Sequence, residues 1–246
     1  MITSEQPKQT AHSKIPTIIA AIICSAFALW SVLWFWSAVL TVRPEAVITQ
    51  WEENKENVDE KLANNMITRL KRSIAINPLD ANSHLLMARY YEFLTHSHPS
   101  TRPNNNITNQ YTQLAALEYK RAVQHQASWD YAWAKQANFY SNQPELNINA
   151  FKHSLSKAML FGPYERKTQE VIIPLIFKHW PLLVNNKQQQ YQAAKVIKHA
   201  LKHYTHALLT LNSAKKYNQL PTLAPMLTQK WHKNRLKKYL REAAND

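Results

Sequence analysis

Residues 127–163 read ASWDYAWAKQANFYSNQPELNINAFKHSLSKAMLFGP, and this stretch decides the fold. It holds two runs in which large and small apolar residues recur at helical spacing: Trp133, Ala137 and Tyr140, then Phe151, Leu155 and Ala158. A polar segment separates the runs, and the second ends at Pro163. Small residues between large ones let paired helices approach closely. The stretch therefore predicts an α-helical hairpin.

Two earlier segments, NSHLLMARYY (82–91) and QLAALEYKRAVQHQA (113–127), repeat this order of residues. The matching positions are His84, Met87, Ala88, Tyr91, Ala115, Tyr119 and Ala122, with Ala127 where proline is usual. A preceding helix over about residues 57–76 keeps the same phase. Self-similarity at this period indicates stacked hairpins, and the order is typical of the tetratricopeptide repeat. We expect an all-α protein with a tetratricopeptide-like array over residues 57–185. These aromatic residues are predicted to be core and not catalytic.

The remainder of the chain gives weaker patterns. THSHPSTRPNNNITNQ (95–110) predicts a long loop, because it is rich in Pro, Asn, Ser and Thr. A helix through VIIPLIFKHW (171–180) is predicted to bend or break at Pro174 and to stop at Pro181. Residues 188–211 and 222–241 are predicted to form two long helices. We expect residues 186–246 to form basic helices that pack on the array.

The N-terminal region predicts one transmembrane helix. From Ile15 to Val42 the chain carries no charged residue, and a bilayer core needs only about 20 helical residues. A cleaved signal peptide is disfavoured because aromatic residues continue the apolar run and resemble an interfacial belt. These residues are Trp30, Trp34, Phe35 and Trp36. Residues 43–56 are predicted to be a linker.

The positive charges flanking this helix favour a cytoplasmic N-terminus. Lys8, Lys14 and the terminal amine precede the helix, whereas Arg43 and Lys55 follow it among acidic residues. We therefore expect a cytoplasmic tail over residues 1–14 in a single-pass protein of a bacterial inner membrane. The soluble domain is then periplasmic, and a cytoplasmic domain is the alternative.

Composition excludes several classes of function. The chain has one glycine, Gly162, whereas phosphate-binding loops, nucleophile elbows and β-hairpins need several. Its one cysteine, Cys24, lies in the apolar run, so the soluble part is predicted to have no intrachain disulfide and no thiolate metal site. We find no HExxH and no Ser–His–Asp pattern. We expect a protein that is not an enzyme and binds no cofactor, with Asp130, Glu165 and Glu170 the only carboxylates considered for a hydrolase.

The net charge of +14 makes anionic partners plausible. Two basic stretches supply the candidate binding residues: Lys195, Lys198, His199, Lys202, His203 and His206, and then Lys230, Lys233, Arg235, Lys237, Lys238 and Arg241. The C-terminal stretch is amphipathic, so it suits docking on its own domain, on an anionic glycan or on phospholipid. Nucleic acid is not expected because no nucleic-acid-binding motif is present.

The three histidines of the first stretch raise the question of a metal. On one continuous helix, His199, His203 and His206 would share a face, as zinc ligands do. The lysines among them disfavour a divalent cation, and residues 188–211 contain no Asp or Glu to orient the imidazoles. A solvated basic stripe is the preferred interpretation.

Two further patterns carry a family resemblance. They are W-x-Y-x-W-A, at Trp129 to Ala134, and A-x-x-x-G-P-x-E, at Ala158 to Glu165. With their surroundings, SIAINPLDANSHLLMARYYE (73–92) and residues 121–183, they make the chain similar to VpsP-type polysaccharide-biosynthesis proteins over about residues 68–184. The resemblance implies an accessory role in exopolysaccharide biosynthesis or export, exerted by binding other envelope proteins. Direct binding of an anionic glycan or phospholipid by the basic stretches is the alternative.

Overall fold

A computed structural model describes residues 15–54, 59–97, 105–143 and 147–245. Over these residues the chain is 86% helix and contains no strand, which confirms the prediction of an all-α protein. The helices are α1 (Ile15–Asn54), α2 (Glu60–Ile76), α3 (Ala81–Ser97), α4 (Asn105–His125), α5 (Asp130–Ser141), α6 (Ile148–Phe161), α7 (Arg166–Lys178), α8 (Trp180–Leu183), α9 (Lys187–Ala200), α10 (Tyr204–Lys216), α11 (Leu220–Leu223) and α12 (Lys230–Asn245). The predicted tail over residues 1–14 lies outside the described residues.

Helix α1 has two halves with different surroundings. Every side chain from Pro16 to Trp36 is exposed, and the helix is long and apolar enough to cross a membrane. From Ser37 onward α1 packs on α2 and α3, where Ile48 is fully buried and Trp51 is 5% exposed. One helix therefore joins an apolar, exposed segment directly to the folded domain.

The predicted linker over residues 43–56 is wrong for its helical part, because α1 continues to Asn54. Ile48 and Trp51 give this segment an apolar side, and the Trp51 ring lies 5.7 Å from Tyr90 and 5.4 Å from Phe93. Pro44 is accommodated within the helix. Its carbonyl oxygen accepts a hydrogen bond of 2.8 Å from the Tyr90 hydroxyl. Tertiary packing thus keeps helical a segment whose proline and charges favour a loop.

Successive helices pack as antiparallel neighbours. The closest pairs are α1 with α2, α3 with α4, and α5 with α6. Helix α1 also packs on α3, α5 packs on α7, and α7 packs on α10, while α6 contacts α9 on the other side. The first helices of consecutive pairs therefore lie along one side of the domain.

The positions that define the repeated pattern form the core. Ala88, Ala115, Tyr119, Ala122, Ala137, Phe151, Leu155 and Ala158 are all fully buried. Trp133 is 8% exposed, and its indole nitrogen donates a 2.8 Å hydrogen bond to the carbonyl oxygen of Ala127. Such alternation of small and large side chains lets neighbouring helices interdigitate. The prediction that these residues belong to the core is confirmed for them, whereas Tyr140, predicted with them, is half-buried and packs against the core.

Two boundary predictions in the middle of the chain are wrong. The predicted loop over residues 95–110 is helical at both ends, because α3 continues to Ser97 and α4 begins at Asn105. Pro174 does not break α7, which continues to Lys178. A proline inside a helix costs about 3 kcal/mol, but the surrounding residues Ile172, Ile173, Leu175, Ile176 and Phe177 are buried. Their burial outweighs the lost hydrogen bond.

The two long C-terminal helices are also divided. The helix predicted over residues 188–211 ends at Ala200, and α10 starts after a turn at residues 201–203. This turn brings α10 back against α7, whereas a straight helix would carry its apolar side into solvent. The helix predicted over residues 222–241 is interrupted by Pro225, which lies in a 3-10 turn, Ala224–Met226. Helix α12 then packs on α10 through Leu236 and Tyr239.

Candidate functional site

An open cleft of about 530 Å³ lies between α7 and the first helices of the three pairs, α1, α3 and α5. Its walls come from α1, α3, α5 and α7, with Leu85, Trp129 and Val171 among its apolar groups. The cleft exists because α1 continues beyond the apolar segment and supplies one whole wall. A groove of this kind, which is lined by both apolar and charged side chains, suits an extended or helical peptide.

A charged triad joins three walls of the cleft. Arg89, 6% exposed, donates two hydrogen bonds to the Glu52 carboxylate, 3.0 Å from Nε and 2.8 Å from Nη2. The Lys135 ammonium lies 3.1 Å from the same carboxylate. Bidentate arginine–carboxylate geometry is the strongest form of such a contact. The triad therefore fixes α1, α3 and α5 relative to one another.

The triad also fixes the charge state of its members. Burial alone would raise the pKa of Glu52, but the hydrogen bond from Arg89 and the charges of Lys135 and Arg89 outweigh it and lower that pKa. Burial opposes the charge of Arg89 as well, and the hydrogen bonds and charge of Glu52 raise its pKa above the usual value. Glu52 is thus held as an ionised structural group.

The remaining cleft charges are mostly acidic. Glu45 and Glu53 are exposed on the α1 wall, and the side chain of Glu170 on α7 is 62% exposed. Within the described residues neither Glu45 nor Glu53 forms an ion pair, whereas Lys167 adds one positive charge to the rim. In a protein of net charge +14, this cleft is a local acidic surface.

Four of the predicted basic residues come together at a second depression. Lys195, Lys198, His199 and Lys202 surround a pocket of about 260 Å³ together with Tyr164 and Tyr191. The Tyr164 ring lies 4.6 Å from the His199 ring. The Lys195 ammonium lies 5.0 Å from the centre of the Tyr164 ring. Burial and then the charge of His203 lower the pKa of His199. We name Lys195, Lys198, His199, Lys202 and Tyr164 the basic pocket.

The other two histidines of this stretch have different surroundings. The His203 ring is 5.4 Å from that of His199 but lies in the turn before α10. His206 is 5% exposed, and its Nε2 lies 3.3 Å from the carbonyl oxygen of Arg166. Among the described residues, no group of three His, Cys, Asp or Glu side chains is arranged to hold a metal ion. His206 serves packing between α10 and α7.

The second predicted basic stretch lies on α12 and lines a different surface. Its basic residues are all exposed: Lys230, Lys233, Arg235, Lys237, Lys238 and Arg241. Lys237, Lys238 and Arg241 border a shallow depression with Glu242, and Glu242 pairs with Lys215 at 2.5 Å. The two predicted basic stretches therefore line different depressions, while the Tyr204 and Trp231 rings, 5.3 Å apart, connect the start of α10 to the start of α12.

A polar network joins α5 to the end of α7. Lys178 donates hydrogen bonds of 3.0 Å to the carbonyl oxygen and hydroxyl of Ser141. The Ser141 hydroxyl lies 2.8 Å from Nε2 of His179. Since Lys178 donates to that hydroxyl, the hydroxyl proton is directed to a neutral imidazole. Burial, followed by the charge of Lys178, lowers the pKa of His179 to about 4.

This network predicts a loss of stability in mild acid. Above pH 6.5 the His179 imidazole is neutral in both the folded and the unfolded chain. Between pH 6.5 and about 4 only the unfolded chain binds the proton, so the free energy of unfolding falls. Because His179 is partly exposed to solvent, we expect the free energy of unfolding to be lower by about 2 kcal/mol at pH 4.5. Urea unfolding of the full chain in detergent micelles, followed by tryptophan fluorescence, measures it. In His179→Gln the pH dependence should flatten; an unchanged slope would contradict this role.

No protein-family model matches the chain, and neither a curated protein nor a solved structure matches it. The cleft and the exposed basic surfaces are the features that bear on function.

The cleft residues Glu45, Glu52, Arg89 and Lys135 were missed by the sequence reasoning. Three elements far apart in the chain supply them, and the α1 wall lay in a segment predicted to be a linker. One signal was present: Ile48 and Trp51 continue an apolar side at helical spacing beyond Pro44. That spacing indicates that α1 extends past the apolar run, although it does not identify what the helix contacts.

Proposed function

We propose that this protein is a membrane-anchored scaffold whose tetratricopeptide-like array holds a segment of another envelope protein in its cleft. The observation that carries the proposal is the continuity of α1, whose exposed apolar half runs into the half that forms the cleft wall. A partner bound in this cleft is held at a fixed distance from the bilayer, because α1 runs as one helix from its exposed apolar part into the cleft wall.

The chemistry of the cleft favours a basic, amphipathic partner segment. Glu45 and Glu53 on one wall and Glu170 on the other offer carboxylates, while the half-buried side chains of Trp129 and Val171 offer apolar contacts. Charge complementarity of this kind speeds association and selects partners. A helix or extended peptide with Lys or Arg flanking apolar side chains fits these groups.

Binding is favoured over catalysis for this cleft. A glycoside hydrolase needs one carboxyl group with a raised pKa to act as general acid. Glu52, the most enclosed carboxylate of the cleft, has a lowered pKa and is paired with Arg89 and Lys135. Of the three carboxylates considered from the sequence, only Glu170 lines the cleft, and Asp130 accepts a 2.6 Å hydrogen bond from Thr168.

The setting we propose is exopolysaccharide biosynthesis or export at a bacterial inner membrane. Its support is the resemblance of residues 68–184 to VpsP-type proteins, together with a single helix able to cross the bilayer. The flanking positive charges place the array in the periplasm in this proposal. A reporter that is active only in the periplasm, fused after Asp246, is expected to give signal; signal only from a cytoplasmic reporter would overturn the orientation.

Site-specific photo-crosslinking in cells tests the scaffold role. A photoreactive residue replacing Thr49 or Asn82 in the cleft is expected to capture one and the same polypeptide, whereas one replacing the exposed Gln188 outside it should not. The double substitution Glu45→Lys and Glu53→Lys should reduce the adduct at least about tenfold by charge repulsion.

Glu165→Lys is the control for Glu45→Lys and Glu53→Lys taken singly, because each replaces one exposed glutamate by lysine and residue 165 lies outside the cleft. Equal capture from Gln188, or an adduct insensitive to the cleft substitutions, would contradict the scaffold proposal. Mass spectrometry of the adduct then tests the setting. A component of a glycan assembly system supports it, and a protein of another system removes the polysaccharide assignment.

A further inference from the structure

The connections between hairpins lie at the end of the domain from which the anchor enters. Helix α1 first becomes buried at Ser37, whose hydroxyl lies 2.8 Å from that of Ser73 near the end of α2. The Ser73 hydroxyl is in turn 2.8 Å from that of Ser83 at the start of α3. Because paired helices are antiparallel, the turns after α2, α4, α6 and α9 share this end. We call it the anchor end.

Side-chain contacts connect these turns into one continuous face. The His84 ring, after the first turn, lies 5.2 Å from that of His125, before the second. Asp130, after the second turn, accepts a hydrogen bond from Thr168, after the third. Tyr164, in the third turn, contacts His199, before the fourth. The basic pocket therefore belongs to the anchor end.

The anchor leaves little space between this face and the bilayer. The exposed apolar part of α1, Pro16 to Trp36, is about 32 Å long at 1.5 Å per residue, which matches a hydrocarbon core of about 30 Å. Trp30, Trp34 and Trp36 end it and are all exposed, as at a membrane interface. Ser37 follows directly and already packs on α2.

The anchor end carries the residue types that bind a headgroup region. Its exposed large apolar residues are Leu79, Phe161, Tyr164 and Tyr204. Its exposed basic residues include Arg72, Arg166, Lys195, Lys198 and Lys202. The Asp80 carboxylate accepts hydrogen bonds from the backbone amides of Asn82 and Ser83. Aromatic side chains interspersed with Lys and Arg are typical of surfaces that lie on anionic lipid.

We infer that the anchor end docks on anionic phospholipid of the same bilayer that α1 crosses. The basic pocket takes phosphate groups, while Phe161, Tyr164 and Tyr204 enter the interface. The inference rests on the proposed membrane anchoring and extends it. The array then contacts the bilayer at two places, the anchor and the basic pocket at the far side of the face, and these two contacts fix its orientation relative to the bilayer. The cleft then keeps one orientation toward partners in the membrane.

Depth-dependent quenching in nanodiscs tests the docking. The full chain with Cys24→Ser receives one labelled cysteine, at Thr205 beside the basic pocket or at Gln188 at the opposite end of α9. Headgroup-nitroxide lipid should quench the label at residue 205 strongly, and the label at 188 weakly, when the discs contain phosphatidylglycerol. Discs of phosphatidylcholine alone, or added salt, should reduce quenching at 205.

Charge reversal distinguishes docking from mere proximity. Lys195→Glu, Lys198→Glu and Lys202→Glu together should lower the docked population at least about tenfold. The control reverses Lys187, Lys216 and Lys237, which are exposed. Lys187 begins α9, Lys216 ends α10, and Lys237 lines a depression with Glu242, the partner of Lys215. These positions are remote from the anchor end, so their reversal should leave quenching at residue 205 unchanged.

The outcomes separate this inference from the proposed anchoring. If the chain floats with liposomes but shows no lipid-dependent quenching at residue 205, the docking is overturned and the proposed anchoring stands. If the chain does not float with liposomes, the proposed anchoring is overturned, and the docking with it. Binding of polygalacturonate that depends on the three lysines, without phosphatidylglycerol-dependent quenching, would overturn the lipid assignment in favour of an anionic glycan.

Discussion

Replacing Glu52 with alanine is expected to lower the free energy of unfolding of the helical domain by about 3 kcal/mol. The substitution leaves Arg89, 6% exposed, without its bidentate partner. A buried charge that loses its partner typically costs about 3 to 5 kcal/mol, and the partial exposure of Glu52 places this site at the lower limit. Urea unfolding of the full chain in detergent micelles, followed by tryptophan fluorescence, gives the difference.

Two further variants make that result specific. Glu53→Ala removes a neighbouring exposed carboxylate and should change stability by less than about 0.5 kcal/mol. Lys135→Met leaves the Arg89–Glu52 pair intact and should cost about 1 kcal/mol. If Glu52→Ala costs no more than Glu53→Ala, the triad does not hold α1 on the domain.

The second large effect is expected at Gly162, the one glycine of the chain. Its φ of −125° is open to any residue, so backbone freedom does not require glycine here. Glycine is required by the lack of space, because a Cβ at this position would overlap the Asp130 carboxylate and lie 2.5 Å from the Asp130 Cβ. The Asp130 Cβ cannot move away without its backbone, and overpacking of this kind typically costs about 1 to 3 kcal/mol. Gly162→Ala should therefore destabilise the domain by about 3 kcal/mol, measured by the same urea unfolding.

A double-mutant cycle assigns this cost to one contact. In an Asp130→Gly background both the carboxylate and the Cβ are gone, so Gly162→Ala should cost less than about 1 kcal/mol. Thr168→Val measures separately the loss of the hydrogen bond to Asp130, about 1 kcal/mol. Equal costs of Gly162→Ala in both backgrounds would place the strain elsewhere.

Much of the fold could be predicted because it follows from local patterns. The spacing of Trp133, Ala137, Phe151 and Ala158 predicted paired helices, and all four are buried. The apolar run predicted a helix able to span a membrane, and α1 is such a helix. Helix ends were predicted less well, because a proline alone does not decide whether a helix ends. Pro174 lies inside the continuous helix α7, whereas Pro225 lies in a 3-10 turn that interrupts the predicted helix. Dense packing around Pro174 maintains α7.

The candidate sites divide in the same way. Lys195, Lys198 and Lys202 are near one another in the chain, so their proximity was visible in the sequence; the turn at residues 201–203 then directed His206 into the core. The cleft could not be predicted, because Glu52, Arg89 and Lys135 meet only when α1, α3 and α5 pack.

By itself, then, the sequence determined the helical class, the apolar N-terminal helix and the basic character of the C-terminal half, since these depend on composition and on spacing within single helices. Only the tertiary structure decided that α1 continues into the domain, that an acidic cleft forms, and that the basic pocket lies at the anchor end. Those features depend on contacts between residues distant in the chain, and local propensity carries no information about such contacts.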